Sequence, residues 1–253
     1  MNIKERLDKL PGIVSDILFV IVVVSVVSIL SQLALGLWTP MVAVESGSMV
    51  PNLNIGDIIV VQGAARTNVT TWEDGEASGY KSFNLPGDVI LYRPYGKDKP
   101  SLLDQGKAIL GLPLSPTKAT PIIHRALSFV QDGEPMWDGG PLAPFSGYVT
   151  KGDHNELIDQ QAGRIFGVAN PTYLNDHKNE IKKVANSTYL DEETGLIIYE
   201  INNQTYVGEG ISYLAPVKPE WVIGVARAKI PIVGYIRLLP NIIAGEIQKL
   251  LGS

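Results

Sequence analysis

The chain has 253 residues, with 21 Lys and Arg against 26 Asp and Glu, three histidines and no cysteine. A net charge of −5 without any Lys/Arg cluster argues against a nucleic-acid binder, whose phosphate contacts need grouped cations. The absence of cysteine excludes thiol nucleophiles, thiolate zinc sites and disulfides, so imidazole chemistry must use His124, His154 or His177. The length allows one large domain or two small ones.

A mean hydropathy of +0.12 points to a local apolar segment. It lies at residues 17–35, ILFVIVVVSVVSILSQLAL, which carry no charge and only Ser25, Ser28, Ser31 and Gln32 as polar breaks. As a helix this run covers about 28 Å, close to a bilayer's hydrocarbon thickness. A buried core helix would show a polar face. A cleavable signal peptide has an apolar region of about 7–15 residues, shorter than this one, so the segment reads as an uncleaved anchor. Lys4, Arg6 and Lys9 precede it, and no Lys or Arg follows until Arg66. The positive-inside rule then places the N-terminus in the cytoplasm and the remaining bulk outside, with Trp38 at the interface. Sequons at Asn68, Asn186 and Asn203 are compatible with that placement but common by chance.

Beyond the anchor, five runs rich in β-branched residues and bounded by Gly or Pro read as strands. They are IGDIIVV (55–61), DVILYR (88–93), PIIHRALSF (121–129), LIIYEI (196–201) and EWVIGVA (220–226). Polar or Gly/Pro-rich connectors fill residues 63–86, 94–120 and 132–147. The class is mainly β. A short charged stretch from Asp176 to Val184 reads as a helix, within a segment 170–219 that has the look of an inserted subdomain. The C-terminal NIIAGEIQKLL (241–251) carries an apolar helical stripe too short to span a bilayer. A core-closing helix and a membrane-surface helix fit it equally.

Three places can carry chemistry. Ser46-Gly47-Ser48-Met49-Val50-Pro51 follows the anchor by about ten residues, and Gly47 permits a tight backbone that would expose the Ser48 hydroxyl. A serine needs a base before it attacks near neutral pH, and Ser-Gly-Ser alone is also the composition of an ordinary turn. His124 interrupts an apolar run, where period-two alternation puts it on one face with Ile122 and Ala126. A half-buried imidazole suits a general base, although core histidines are common. Asp153 and Asp159 lie in and beyond the turn Gly152-Asp153-His154-Asn155, and either carboxylate could orient His124 as the third member of a serine triad. No His/Asp/Glu cluster has metal-ligand spacing, so neither metal nor other cofactor is expected.

Five segments taken together resemble a known family. SGSMVPNLNIGDIIVV, PGDVILYR, IIHRAL, YVTKGDHNELID and WVIGVARAKIPIVGYI are similar, in order and approximate spacing, to type I signal peptidases. The likeness is greatest to the archaeal enzymes and to the catalytic subunit of the eukaryotic endoplasmic-reticulum complex. The resemblance implies a signal-peptidase-like β domain held at the outer membrane face. Ser48 falls at the nucleophile position, and Ser46 at that of a serine whose hydroxyl assists the oxyanion hole beside the Ser48 N–H. His124 stands where bacterial leader peptidases carry a lysine base, which implies the Ser-His-Asp class. Asp159 aligns with the triad acid, and Asp153 with a second Asp that supports activity. This chain has Gly-Asp-His-Asn where the family often has Gly-Asp-Asn-Asn, which leaves His154 as a second candidate base.

The expected organisation is an anchor at 1–38, a catalytic β domain at 39–169 and 220–253, and the insertion at 170–219. The expected function is a membrane-anchored serine endopeptidase that cleaves signal peptides from exported preproteins after small residues. Its partners would be preproteins, the lipid bilayer and the secretory translocon, with no nucleic acid. It would sit in the cell membrane, or in the endoplasmic-reticulum membrane of a eukaryote. Alternatives are a peptidase for a narrow set of surface proteins, or a catalytically silent anchored binding module. A Ser/Lys mechanism lacks a lysine beside the His124 strand position.

Overall fold

In the computed structural model, the apolar run folds as helix α1 (Gly12–Leu35). The structure describes residues 12–97, 119–168, 172–176, 179, 181–185, 187–191, 196–202 and 204–231. Lys4, Arg6, Lys9, His177, Asn186, Asn203 and the stripe at 241–251 lie outside the described residues. Residues Val14–Leu35 form one helix long and apolar enough to cross a membrane, and none of it is buried within the protein. It stops at Gly36, whose φ of +72° ends the helix in the left-handed conformation that glycine adopts without strain. The Gly36 N–H donates to Gln32 O at 3.0 Å. A Cβ on Gly63 would lie 3.0 Å from Gly36 O, so the helix end rests backbone to backbone on a β-sheet.

That sheet is antiparallel with six strands, β1 (Met41–Ala43), β2 (Ile58–Gly63), β5 (Val89–Tyr92), β6 (Ile122–Val130), β7 (Gly147–Lys151) and β13 (Val222–Ile230). Their order is β1-β2-β13-β5-β6-β7. Alternation divides its side chains between two buried faces. Val44, Met49, Leu53, Ile59, Val61, Val89, Leu91 and Ala226 pack together on one. Ile90, Tyr92, Ala126, Val217, Val222 and Val225 pack on the other. With both faces covered, β5 is buried at every position, which explains its unbroken apolar run.

The connector at 63–86 is more ordered than its composition implied. It contains helix α2 (Trp72–Ser78) and a hairpin of β3 (Lys81–Ser82) and β4 (Leu85–Pro86). The signal was present. Thr71 caps the helix by accepting from the Asp74 N–H at 3.2 Å, and Gly79 closes it in the left-handed region. Asp88 then ties this connector to β5 by accepting from the Thr70 N–H, the Tyr80 hydroxyl and the Arg227 guanidinium at 2.8–3.0 Å.

A second antiparallel sheet has the order β8-β12-β11-β10-β9. Its strands are β8 (Gly163–Val168), β9 (Ile181–Ala185), β10 (Thr188–Asp191), β11 (Ile197–Ile201) and β12 (Gln204–Gly210). It therefore begins upstream of residue 170. The helix expected from Asp176 to Val184 is not formed: a short α3 (Tyr173–Asp176) ends where it should begin, and Ile181–Ala185 is a strand. Pairing with β10 overrides the local charge pattern, burying Val184 with Leu190 and Ile197. This sheet shares an aromatic cluster with the first, in which Phe145 meets Trp221 edge to face and Lys218 Nζ lies 4.3 Å over the Phe145 ring.

Gly87 has φ +73°, and a Cβ there would lie 2.5 Å from the Trp72 backbone nitrogen. Gly79 has φ +76° with open space around it. Gly87→Ala is thus expected to cost well above the roughly 1–2 kcal/mol of left-handed strain expected for Gly79→Ala. Thermal unfolding of the two variants in detergent, followed by near-ultraviolet circular dichroism, measures that difference.

Candidate active site

Ser48 sits in the turn between β1 and β2, and burial of its neighbours fixes it there. Met49 and Leu53 are fully buried in the core, and the Leu53 N–H donates to Met49 O at 2.9 Å. Anchoring Met49 leaves the preceding serine at the surface of the turn. The His154 N–H donates to Ser48 O at 2.8 Å, which ties this turn to the one after β7. Gly47 does not act as its position suggested. Its φ is not positive, and a Cβ would meet only Val50 Cγ2 at 3.8 Å, an ordinary contact.

On β6, His124 lies opposite Ile90, and Ile122 opposite Tyr92. Across β7, Ala126 lies opposite Thr150. Residues directly opposite share a face, so His124, Ile122, Ala126, Tyr92 and Thr150 all project to one side. His124 is 2% exposed. Its Nε2 is 2.9 Å from Ser48 Oγ, and its Nδ1 is 2.7 Å from Asp159 Oδ2. Ser46 Oγ is 3.2 Å from Ser48 Oγ. Ser48, His124 and Asp159, spread over more than a hundred residues of chain, thus form one continuous hydrogen-bonded line.

Asp159 is held by what surrounds it. Its N–H donates to Thr150 O at 2.9 Å, and the neighbouring Gln160 Oε1 accepts from the Thr150 N–H at 3.0 Å. Oδ2 also accepts from Thr150 Oγ1 at 2.6 Å and from the Tyr92 hydroxyl at 2.9 Å. Burial first, and then the charge of Asp159, push Tyr92 well above the ordinary phenol range.

Asp153 has a different partner. Arg125, next to His124 and therefore on the opposite face, donates from Nε and Nη2 to the two Asp153 oxygens, both at 2.8 Å. The pair is buried, with side chains 1% and 3% exposed. Arg125 Nη1 also donates to the carbonyls of Ser82 and Gly87, closing the β3–β4 hairpin. Asn52 Nδ2 donates to Asp153 Oδ2 at 2.8 Å, linking the ion pair to the Ser48 loop. His154 is exposed, and through its backbone alone it contacts Ser48.

Tyr92, Thr150, Gln160, Arg125 and Asn52 were not singled out by the sequence pattern. Tyr92, Arg125 and Asn52 are defined by partners 67, 28 and 101 residues away, while Thr150 and Gln160 pair with each other across the turn after β7. Among the described residues no group of His, Asp and Glu is arranged to hold a metal ion. A cleft lined by Tyr95, Ile122, Ala162, Gly163, Gly210 and Ile211 contains none of Ser48, His124 and Asp159. Comparison with protein-family models finds no match, and comparison with curated proteins finds none either.

Removing one partner of a buried, hydrogen-bonded ion pair typically costs about 3–5 kcal/mol. Arg125→Met and Asp153→Asn are each expected to destabilise on that scale. The double variant should cost less than the sum, because neither charge is then left alone. Urea unfolding of the four proteins closes that cycle.

Proposed function

We propose that this protein is a membrane-anchored serine endopeptidase of the signal-peptidase type, removing signal peptides from exported preproteins. The observation that carries this reading is the Ser48–His124–Asp159 line, with its 2.9 Å and 2.7 Å links. The fivefold motif resemblance and an N-terminal helix able to cross a membrane support it.

In this reading Ser48 Oγ attacks the scissile carbonyl carbon while its proton passes to His124 Nε2. The oxyanion that forms is met by the Ser48 N–H, which donates to no group among the described residues, and by the Ser46 hydroxyl. His124 then protonates the leaving amine. In the second half it takes a proton from the water that hydrolyses the acyl-enzyme. Asp159 fixes the imidazole tautomer and stabilises the cation that forms in each half. The short tether holds enzyme and substrate in one plane, since the signal peptide's own apolar segment lies in the same bilayer. By the family resemblance, cleavage falls after small residues and the catalytic domain faces away from the cytoplasm.

The test is cleavage of a preprotein by the detergent-solubilised protein, with the N-terminus of the product sequenced. Cleavage after a small residue, abolished by Ser48→Ala, is the expected result. His124→Ala and Asp159→Asn should each lower kcat by roughly 10³-fold or more. Cleavage that survives Ser48→Ala overturns the mechanism. An inert parent protein, alone and with a translocon-containing membrane extract, favours the silent binding module instead.

A further inference from the structure

The hydrogen-bonded line does not stop at Asp159. Its Oδ2 accepts from three donors on three neighbouring strands: Tyr92 on β5, His124 on β6 and Thr150 on β7. Its Oδ1 is buried with no hydrogen-bond partner among the described residues. The donors thus converge on the single oxygen that binds the imidazole, although the carboxylate has two. Asp159 itself is 0% exposed, and a carboxylate removed so fully from water is unfavourable unless its charge is met.

We propose that Tyr92 and Thr150 are positioning residues that keep Asp159 an acceptor towards His124 and temper its pull on the imidazole proton. The kinetic consequence rests on the peptidase reading, whereas the coupling itself does not. Hydrogen bonds to a carboxylate favour its ionised form. Held as an anion, Asp159 can only accept, so His124 presents Nδ1–H and turns the Nε2 lone pair towards Ser48. Neither donor is lost with pH, since a threonine hydroxyl does not ionise and burial keeps Tyr92 protonated. Both draw on the same oxygen as His124, so deleting either makes that oxygen a stronger partner for the proton.

Among the described residues, the groups facing His124 are few. Asp159 comes from the segment after β7, Tyr92 from β5 and Ser48 from the turn before β2. Arg125 on its own strand faces away and is paired with Asp153, while His154 is exposed. One carboxylate, modulated by one phenol and one hydroxyl, therefore governs proton uptake by the imidazole.

The test is a ¹⁵N-histidine NMR titration of the full chain in detergent micelles, with the His124 signals assigned by their loss in His124→Gln. In Tyr92→Phe and Thr150→Val, the midpoint of proton uptake by the His124–Asp159 pair is expected to rise by roughly half to one pH unit. Thr150→Ser should restore the parent midpoint. In the cleavage assay the first two variants should lose about ten-fold in kcat with KM unchanged. A midpoint that stays put or falls in folded variants overturns the proposal, as does a loss carried by KM. Should Tyr92→Phe fail to fold, Thr150→Val against Thr150→Ser decides alone. A parent protein that cleaves nothing, yet shows the midpoint shifts, defeats the peptidase reading and leaves this coupling standing.

Discussion

The pairing of β5, β6 and β7 is the constraint on which the site depends. Because β6 is an inner strand with both faces covered, its successive residues His124 and Arg125 enter two separate buried environments. Each is polar and almost wholly buried. Each therefore requires a buried acceptor. The segment following β7 supplies both acids within seven residues, Asp153 to Arg125 and Asp159 to His124. One strand thus organises a buried ion pair on one side and the Ser48–His124–Asp159 hydrogen-bonded line on the other.

The two networks meet at the Ser48 turn. Asn52 connects it to the ion pair, His154 N–H grips the Ser48 carbonyl, and Met49 holds it in the core. The serine hydroxyl is then presented to His124 by three contacts in which it takes no part. This division of labour gives Asp153 a physical role near the site without any contact with the imidazole.

Features whose physical cause is local were legible in the sequence. The N-terminal apolar helix showed as nineteen uncharged residues, Ser48 as a turn after it, and His124 as a polar break in a strand. The six-residue spacing of Asp153 and Asp159 named both acids but could not say which partner each takes, because that depends on the alternating faces of β6. Tyr92 and Asn52 were silent for the same reason: their acceptors lie 67 and 101 residues away. The Asp176 to Val184 stretch misled because its charges fit a helix, while tertiary pairing with β10 decided otherwise. In the 63–86 connector the Thr71 cap and Gly79 stop were readable, but seven residues of helix leave no periodic pattern.

The contact between Gly36 and Gly63 bears on more than packing. The last turn of α1 rests directly on β2 at Gly63, backbone against backbone. Under the proposed reading, this contact would hold Ser48 at one height above the end of the helix and so act as a ruler. A bond would be cut for lying at the right elevation above its own apolar segment, and chain length would become a selection rule independent of any side-chain pocket.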